Sequence, residues 1–416
     1  MDAVHIRGGN ALFGETKIQG SKNAVLPIMA AALLIEDVCV IENCPRISDV
    51  TYMQRLLTQT GCRVSRADRT LMIDARGAIQ GSMDAEAVAQ MRSSIMLLGA
   101  MLGRFGQVSL DYPGGCVIGK RPVDMHLTAL RKMGVVICEN EGGFTAKAEK
   151  LTGAVITLPF ASVGATENVI LAAVRAKGVT VLKNAAREPE IVTLCQFLQK
   201  AGAVIEGVGT TVLIIQGGNP LHGVQFRVPA DRIVAGTYLL SVLGVGGHIF
   251  LRDAPAGQMR SMLSIAAGLG AEITVSDEGL SVLSGKNRKP LSYLKTEVFP
   301  GFPTDLQSPL MAVLTTAKGN SVLEETIFED RFLIVDELRK MGADIQIEDR
   351  KAMIRGVSVL RGCDVTAKEL RGGAGLVIAG CMAEGETIVR NRHFIERGYE
   401  DICRDFQNLG VKIVTG

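Results

Sequence analysis

The chain has 416 residues, 47% of them apolar, and its 45 Lys and Arg against 43 Asp and Glu leave a net charge of +2. That length supports two or three domains, or one large one, with cores that need no covalent staples. Near-neutral charge and a low aromatic content exclude a dedicated nucleic-acid binder, and the apolar content excludes a disordered chain.

The nine cysteines form no C-x-x-C pair, which suits reduced thiols in a cytosol, and the five histidines lie too far apart in sequence to suggest a His/Cys metal cluster. The segment Met1-Asp2-Ala3-Val4-His5-Ile6-Arg7-Gly8 has neither the basic nor the apolar region of a secretory signal, so the expected location is the cytoplasm.

Along the chain one unit recurs. Ser21-Lys22-Asn23 precedes a first apolar helical stretch, and a strand, loop and second helix run from Asp37 to Gly61. Met91-Arg92-Ser93-Ser94 and the span from Gly106 to Gly134 repeat the pattern, followed by Ser162-Val163-Gly164, an apolar helix over 165–174, and a strand from Gly178 whose helix ends at Gly202. Asp231-Arg232 opens the fourth copy, which runs from Gly247 to Gly270. Thr304-Asp305 and the span from Gly319 to Gly342 form the fifth, and Leu370-Arg371 and the span from Gly385 to Gly410 the sixth. The closing glycines Gly61, Gly134, Gly202, Gly270, Gly342 and Gly410 recur about 70 residues apart, the mark of an internal repeat. Glycine there suits the left-handed residue just past a helix C-terminus. Ile233 to Leu251 carries no formal charge and approaches the length of a membrane span, but its glycines and its place in the repeat predict a buried helix, a turn and a strand. Six copies fit two domains of three, with Gly217-Gly218-Asn219-Pro220 and Val228-Pro229 as linker candidates.

Polar groups cluster at equivalent points of the repeat. Lys22, Arg92 and Arg371 fall just before or at the start of the first helix of a copy, while Arg331 and Arg397 lie equally far beyond Gly319 and Gly385. Lys120 and Arg121 occupy the matching loop of the second copy. Helix starts present unpaired amides and a partial positive charge that attract anions, and Arg and Lys add to this. Aimed at one cleft, these ends and cations would make it strongly cationic in a near-neutral protein. Arg46 and Arg260 occupy similar loop positions with no functional reading, so repeat position alone does not define a site.

The most distinctive loop is Asp111-Tyr112-Pro113-Gly114-Gly115-Cys116-Val117-Ile118-Gly119-Lys120-Arg121-Pro122. Lys120 and Arg121 favour the thiolate of Cys116, whereas most of the other cysteines sit among apolar neighbours as core fillers. Gly114 to Lys120 also fits the first part of a P-loop, but Arg121 and Pro122 stand where Ser or Thr would hold Mg²⁺, which argues against a nucleotide triphosphatase.

Four motifs carry a resemblance over nearly the whole chain. They are Gly20-Ser21-Lys22-Asn23-Ala24-Val25-Leu26-Pro27, the segment from Pro113 through Cys116 and Arg121 to Asp124, Phe302-Pro303-Thr304-Asp305-Leu306-Gln307, and Arg392-His393-Phe394-Ile395-Glu396-Arg397-Gly398-Tyr399. The sequence resembles the UDP-N-acetylglucosamine 1-carboxyvinyltransferase family of enolpyruvyl transferases. The resemblance implies an α/β protein with two inside-out α/β barrels, each built from three copies of a ~70-residue unit. One domain would span residues 22–229 and carry the Cys116 loop, the other residues 1–21 plus 230–416, with the active site in the cleft between them. It implies transfer of the enolpyruvyl group of phosphoenolpyruvate to the 3′-hydroxyl of UDP-N-acetylglucosamine with release of phosphate, the first committed step of peptidoglycan synthesis. No cofactor, metal, nucleic acid or membrane span is implied.

Residue roles follow from the same resemblance. Lys22, Arg121 and Arg397 would bind the phosphate of phosphoenolpyruvate, with Asn23 beside them, and Arg331 and Arg371 its carboxylate. Asn23, Arg92, Arg121, Pro122, Val123, Asp124, Met125, Ser162, Val163, Gly164, Asp305 and Ile327 would hold the nucleotide sugar. Asp305 would accept the proton of the attacking hydroxyl, and Cys116 would donate one to the carbon that becomes a methyl group. Lys22 and Arg397 would complete the catalytic set. Cys116 must be protonated to donate, while its neighbours favour the thiolate, so roles in covalent adducts or product release stay open. An epoxide antibiotic, fosfomycin, would alkylate Cys116. Two departures from the family pattern remove no named residue: Asp330 adds a negative charge beside Arg331, and the Gly372-Gly373-Ala374-Gly375 run after Arg371 lowers intrinsic helix stability, both of which bear on how the two arginines are positioned. Two other readings stand beside this one: a sister transferase acting on shikimate 3-phosphate, which lacks the Pro-Gly-Gly-Cys loop, and a non-catalytic repeat scaffold.

Overall fold

The computed structural model describes residues 2–80, 92–112, 123–285 and 288–416. They form two compact units: residues 2–19 with Ala230–Gly416, and the described residues from Gly20 to Pro229.

In the unit from Gly20 to Pro229 the helices alternate between two roles. Helices α1 (Lys22–Ala32), α3 (Met96–Phe105) and α5 (Val163–Ala173) are apolar on almost every side and pack on one another. A helix with no polar face has no stable place at a surface. Helices α2 (Ser48–Gln59), α4 (Asp124–Arg131) and α6 (Pro189–Lys200) bury one face only. Outside the inner helices stand small sheets. The third copy shows the plan: Val155–Thr157 lies parallel to Val179–Lys183, which pairs antiparallel with Val212–Gln216, and this pairs in turn with Val204–Glu206. Each sheet turns its alternate apolar residues inward to the helices and leaves the other face in water. Gln225–Arg227, the final strand of this unit, runs parallel to Val38–Glu42 of its first copy.

The second unit repeats the plan. Inner helices α7 (Arg232–Val245), α9 (Gln307–Leu314) and α11 (Leu370–Met382) pack mutually, while α8 (Arg260–Gly268), α10 (Val335–Lys340) and α12 (Ile402–Asn408) lie outside them. Two early strands complete its sheets. Ala3–Arg7 sits between Glu386–Arg390 and Lys412–Thr415, antiparallel to both, and Leu12–Lys17 runs parallel to Gly247–Arg252. The uncharged segment after Arg232 is α7 and the start of a strand, and among the described residues no helix is long and apolar enough to cross a membrane.

Two local devices recur. The closing glycines Gly61, Gly134, Gly202, Gly270, Gly342 and Gly410 all have positive φ, between 83° and 107°. Asn43, Asn184 and Asn391 also take positive φ, directly after a central strand, and their side-chain amides donate to Val228 O, Leu158 O and Ala367 O at 2.9, 2.9 and 3.2 Å. Each such amide ties the end of a strand to the segment of its parallel neighbour.

Gly342 separates conformation from packing, because a Cβ there meets nothing within 4 Å while φ is +94°. Gly342→Ala is expected to lower stability in chemical denaturation by about 1–2 kcal/mol, and Gly342→Asn by less, since Asn tolerates the left-handed region.

Candidate active site

In the Gly20–Pro229 unit the candidate residues sit at the starts of helices. Ser21 takes an extended conformation and α1 begins at Lys22. The Lys22 ammonium lies 2.7 Å from the carboxylate of Asp49, in the first turn of α2, and the two side chains are only 10% and 1% exposed. A buried charge must be paired, and Asp49 supplies a partner for Lys22 in this setting. Asn23 follows, half-buried. Arg92 opens the short 3-10 turn Arg92–Ile95 that leads into α3. Its side chain lies outside the described residues, as do Cys116, Lys120, Arg121 and Pro122. Val123 precedes α4 and is buried, Asp124 is exposed in its first turn, and Met125 is half-buried. Ser162 caps α5 by accepting from the Ala165 amide at 3.3 Å, with Val163 and Gly164 in the same turn.

In the other unit three predicted residues meet. Asp305 lies in the turn Thr304–Leu306 just before α9, and Arg371 is the second residue of α11. The Arg331 guanidinium reaches one Asp305 oxygen at 2.6 Å and the Arg371 guanidinium the other at 3.1 Å. The arginine side chains are 2% and 3% exposed and the aspartate 26%, so the carboxylate faces outward over two buried cations. Arg331 packs on the Phe328 ring at 5.6 Å and donates from Nε to Thr304 O at 3.4 Å. Arg371 lies 5.7 Å from the Tyr399 ring and donates to the Tyr399 hydroxyl at 3.4 Å, and that hydroxyl shares a 2.7 Å hydrogen bond with Thr237. Burial works against the charge of Arg371, but Asp305, Tyr399 and Asp231 more than offset it and raise its pKa above the ordinary range.

Ile327 belongs to a loop organised by Glu325, which the sequence reading did not single out. This buried carboxylate accepts from Thr296 Oγ1 at 2.9 Å and from the amides of Ile327 and Phe328 at 2.8 and 3.1 Å. Its other oxygen accepts from Thr304 Oγ1 at 2.9 Å, beside Asp305. Arg397 ends the 3-10 turn Arg392–Arg397, half-buried, and a Cβ on the next residue, Gly398, would stand 3.5 Å from Arg371 Nη1.

One expectation needs correction, and the surroundings of the two departures beside the arginines are visible. The starts of α7 and α11 are not open anion sites. Asp231 already accepts from the amides of Ile233 and Val234 at 2.8 and 3.1 Å, and Glu369 accepts from those of Arg371, at 2.7 Å, and Gly372. The glycine run after Arg371 lies in close contact with its surroundings. A Cβ on Gly373 would stand 2.7 Å from Ile395 Cγ1, and one on Gly375 would stand 2.6 Å from Ile334 Cδ1 and 3.0 Å from Ser308 O, so these glycines let α11 approach its neighbours. Asp330 is exposed and the ion pair of Arg331 runs to Asp305 instead. Arg46, by contrast, is the surface residue expected, paired with exposed Asp68 at 2.5 Å.

Of the eight described cysteines, all free, six are buried; Cys138 is exposed and Cys363 intermediate. Burial pushes the thiols of Cys39 and Cys403 up to about 11 and that of Cys195 to about 12, which leaves them inert.

The fold is that of enolpyruvyl transferases. The crystal structure of the enolpyruvyl transferase NikO from Streptomyces tendae matches with a TM-score of 0.90 at 23% identity, covering 99% of this chain and 98% of that one. An EPSP synthase from Acinetobacter baumannii matches end to end with a TM-score of 0.74 at 17% identity. The sequence profile of the family described as EPSP synthase (3-phosphoshikimate 1-carboxyvinyltransferase) matches residues 6–406. Relatives named UDP-N-acetylglucosamine 1-carboxyvinyltransferase are far more similar: one from Caldanaerobacter subterraneus subsp. tengcongensis is 43% identical, covering 100% of this chain and 99% of its own. Another, from Granulibacter bethesdensis, is 43% identical over 99% of both chains. The chain belongs to the UDP-N-acetylglucosamine 1-carboxyvinyltransferase family.

One buried acid near the start of α5 has a testable consequence. Glu167 is almost wholly buried, and its pKa is raised well above the ordinary value, first by burial and then by the charges of Glu190 and Glu188. A carboxyl whose pKa is higher folded than unfolded is tolerated while protonated and costs stability as pH climbs above the unfolded value of about 4.3. Glu167→Gln, which keeps the shape and cannot ionise, is therefore expected to raise the Tm, and by more at pH 8 than at pH 5. An equal or shrinking increment across that range would refute the account.

Proposed function

We propose that this protein transfers the enolpyruvyl group of phosphoenolpyruvate to the 3′-hydroxyl of UDP-N-acetylglucosamine and releases phosphate. The observation that carries this reading is a carboxylate held by two buried guanidinium groups, in a chain whose full-length relatives at 43% identity are named for that reaction. Arg331 and Arg371 take the carboxylate of phosphoenolpyruvate. Their planar donors match it, and they are already held in place by Phe328, Tyr399 and Thr304. Asp305 bridges both guanidinium groups. An arriving carboxylate competes for those donors and leaves Asp305 free to accept the proton of the attacking hydroxyl. Lys22, Arg121 and Arg397 bind the phosphate and counter its charge as it departs. Asn23, Arg92, residues 121–125, Ser162, Val163, Gly164 and Ile327 hold the nucleotide sugar. Cys116 protonates the carbon that becomes a methyl group, and fosfomycin alkylates it. The reaction belongs to peptidoglycan precursor synthesis in the cytoplasm.

The second reading, action on shikimate 3-phosphate, has less support, because identity to the Acinetobacter EPSP synthase is 17%. A scaffold has no use for two buried arginines facing a half-buried carboxylate.

Phosphate release assayed with phosphoenolpyruvate and each acceptor discriminates the three. Release is expected with UDP-N-acetylglucosamine only; release with shikimate 3-phosphate, or none with either, overturns the proposal. Cys116→Ala is expected to cut turnover severely with an unchanged melting curve and to abolish the fosfomycin adduct seen by mass spectrometry. Arg397→Ala is expected to weaken phosphoenolpyruvate binding by about 2–5 kcal/mol in direct titration.

A further inference from the structure

The start of α4 (Val123–Met125) and the start of α5 (Ser162–Gly164) are separate pieces of chain that the reading above assigns to one nucleotide sugar. A buried chain of hydrogen bonds joins them. Asn168, on α5, is fully buried, and its Oδ1 accepts from the Gly99 amide in the first turn of α3 at 2.7 Å. That contact fixes which end of the side-chain amide is oxygen, so Nδ2 is the donor end. Nδ2 reaches the Gly164 carbonyl at 3.4 Å and His126 Nδ1, on α4, at 2.8 Å. A donor at Nδ2 requires an acceptor at Nδ1, which makes His126 a neutral ring with its proton on Nε2.

Two glycines make room for this chain. A Cβ on Gly164 would stand 2.9 Å from His126 Cε1, and one on Gly99 would stand 2.4 Å from the Asn168 carbonyl and 2.9 Å from its Oδ1. The ring of His126 thus rests against the backbone of the α5 start, while Asn168 anchors that ring to α3. Buried hydrogen bonds that join separate segments restrict how those segments can shift against one another. Small misplacements of binding groups are costly.

We propose that Gly99, Asn168 and His126 form a positioning joint that sets the spacing between the two nucleotide-sugar segments, so that His126 and Asn168 determine affinity for the nucleotide sugar and leave the chemical step alone. The proposal rests on the assignment of those segments to UDP-N-acetylglucosamine. Neither side chain needs to touch the ligand; both act through the backbone of their helix starts.

Steady-state kinetics on the full chain test it. His126→Asn keeps an acceptor where Nδ1 stands, whereas His126→Gln does not. His126→Gln and Asn168→Ala are each expected to raise the KM for UDP-N-acetylglucosamine about tenfold, with kcat and the KM for phosphoenolpyruvate within about twofold of wild type. His126→Asn is expected to stay within about threefold, and the His126→Gln/Asn168→Ala double variant to be no worse than its weaker parent, as for residues acting as one unit. An unchanged KM in every variant, a fall in kcat alone, or additive losses in the double variant would overturn the joint. If wild type itself releases no phosphate with this acceptor, the functional reading fails. The joint then stands or falls on nitrogen-15 NMR of His126 at pH 7, where a charged ring or a proton on Nδ1 sinks it.

Discussion

One carboxylate shared by two guanidinium groups almost wholly removed from water sets the terms for the unit around it. Stripped of Asp305, Arg331 and Arg371 would be like charges in a poor dielectric, and breaking a buried pair of this kind costs about 3–5 kcal/mol. The turn before α9, the loop after Phe328 and the first turn of α11 must therefore be in place together. Glu325 binds the first of these to the second, and Glu369 stiffens the third by capping it. The close approach of α11 to Ser308 requires Gly375, so a residue that weakens an isolated helix is needed where helices nearly touch.

The architecture also dictates where chemistry can be placed. The inner helices are mostly apolar, and the candidate side chains stand at or just before their first residues. Lys22, Ser162, Asp305 and Arg371 all stand at or just before such starts. A protein with its helices inside and its sheets outside has few other positions from which a side chain can be both rigidly held and reachable.

Much of this was legible from the repeat. The recurring strand, loop and helix pattern located the six copies, and its closing glycines stand where a left-handed residue after a helix admits few alternatives; every one adopts that conformation. Arg331 and Arg371 were found by their equivalent places in the copies. What the repeat could not disclose were the partners. Asp49, Glu325 and Glu369 pair with groups brought near by the fold, and no periodicity marks them. Asp49 did leave a trace, as an acid in the first turn of a helix, but such acids commonly serve the helix dipole alone. The capping of α7 and α11 by their own carboxylates was likewise invisible, since Asp231 and Glu369 look from sequence like ordinary solvated acids. The packing role of the glycines after Arg371 was not legible because propensity describes a lone helix, whereas these face neighbouring backbone and side chains.

The strand Ala3–Arg7 lies between Glu386–Arg390 and Lys412–Thr415. A ribosome emits Ala3–Arg7 roughly 400 residues before the second of these partners, at a pace of about 5–20 residues per second. Until those partners are made, its amide and carbonyl groups lack the neighbours they have in the folded sheet. The sheet that receives it cannot close before Lys412–Thr415 has left the ribosome, so this seam links segments about 400 residues apart in the chain.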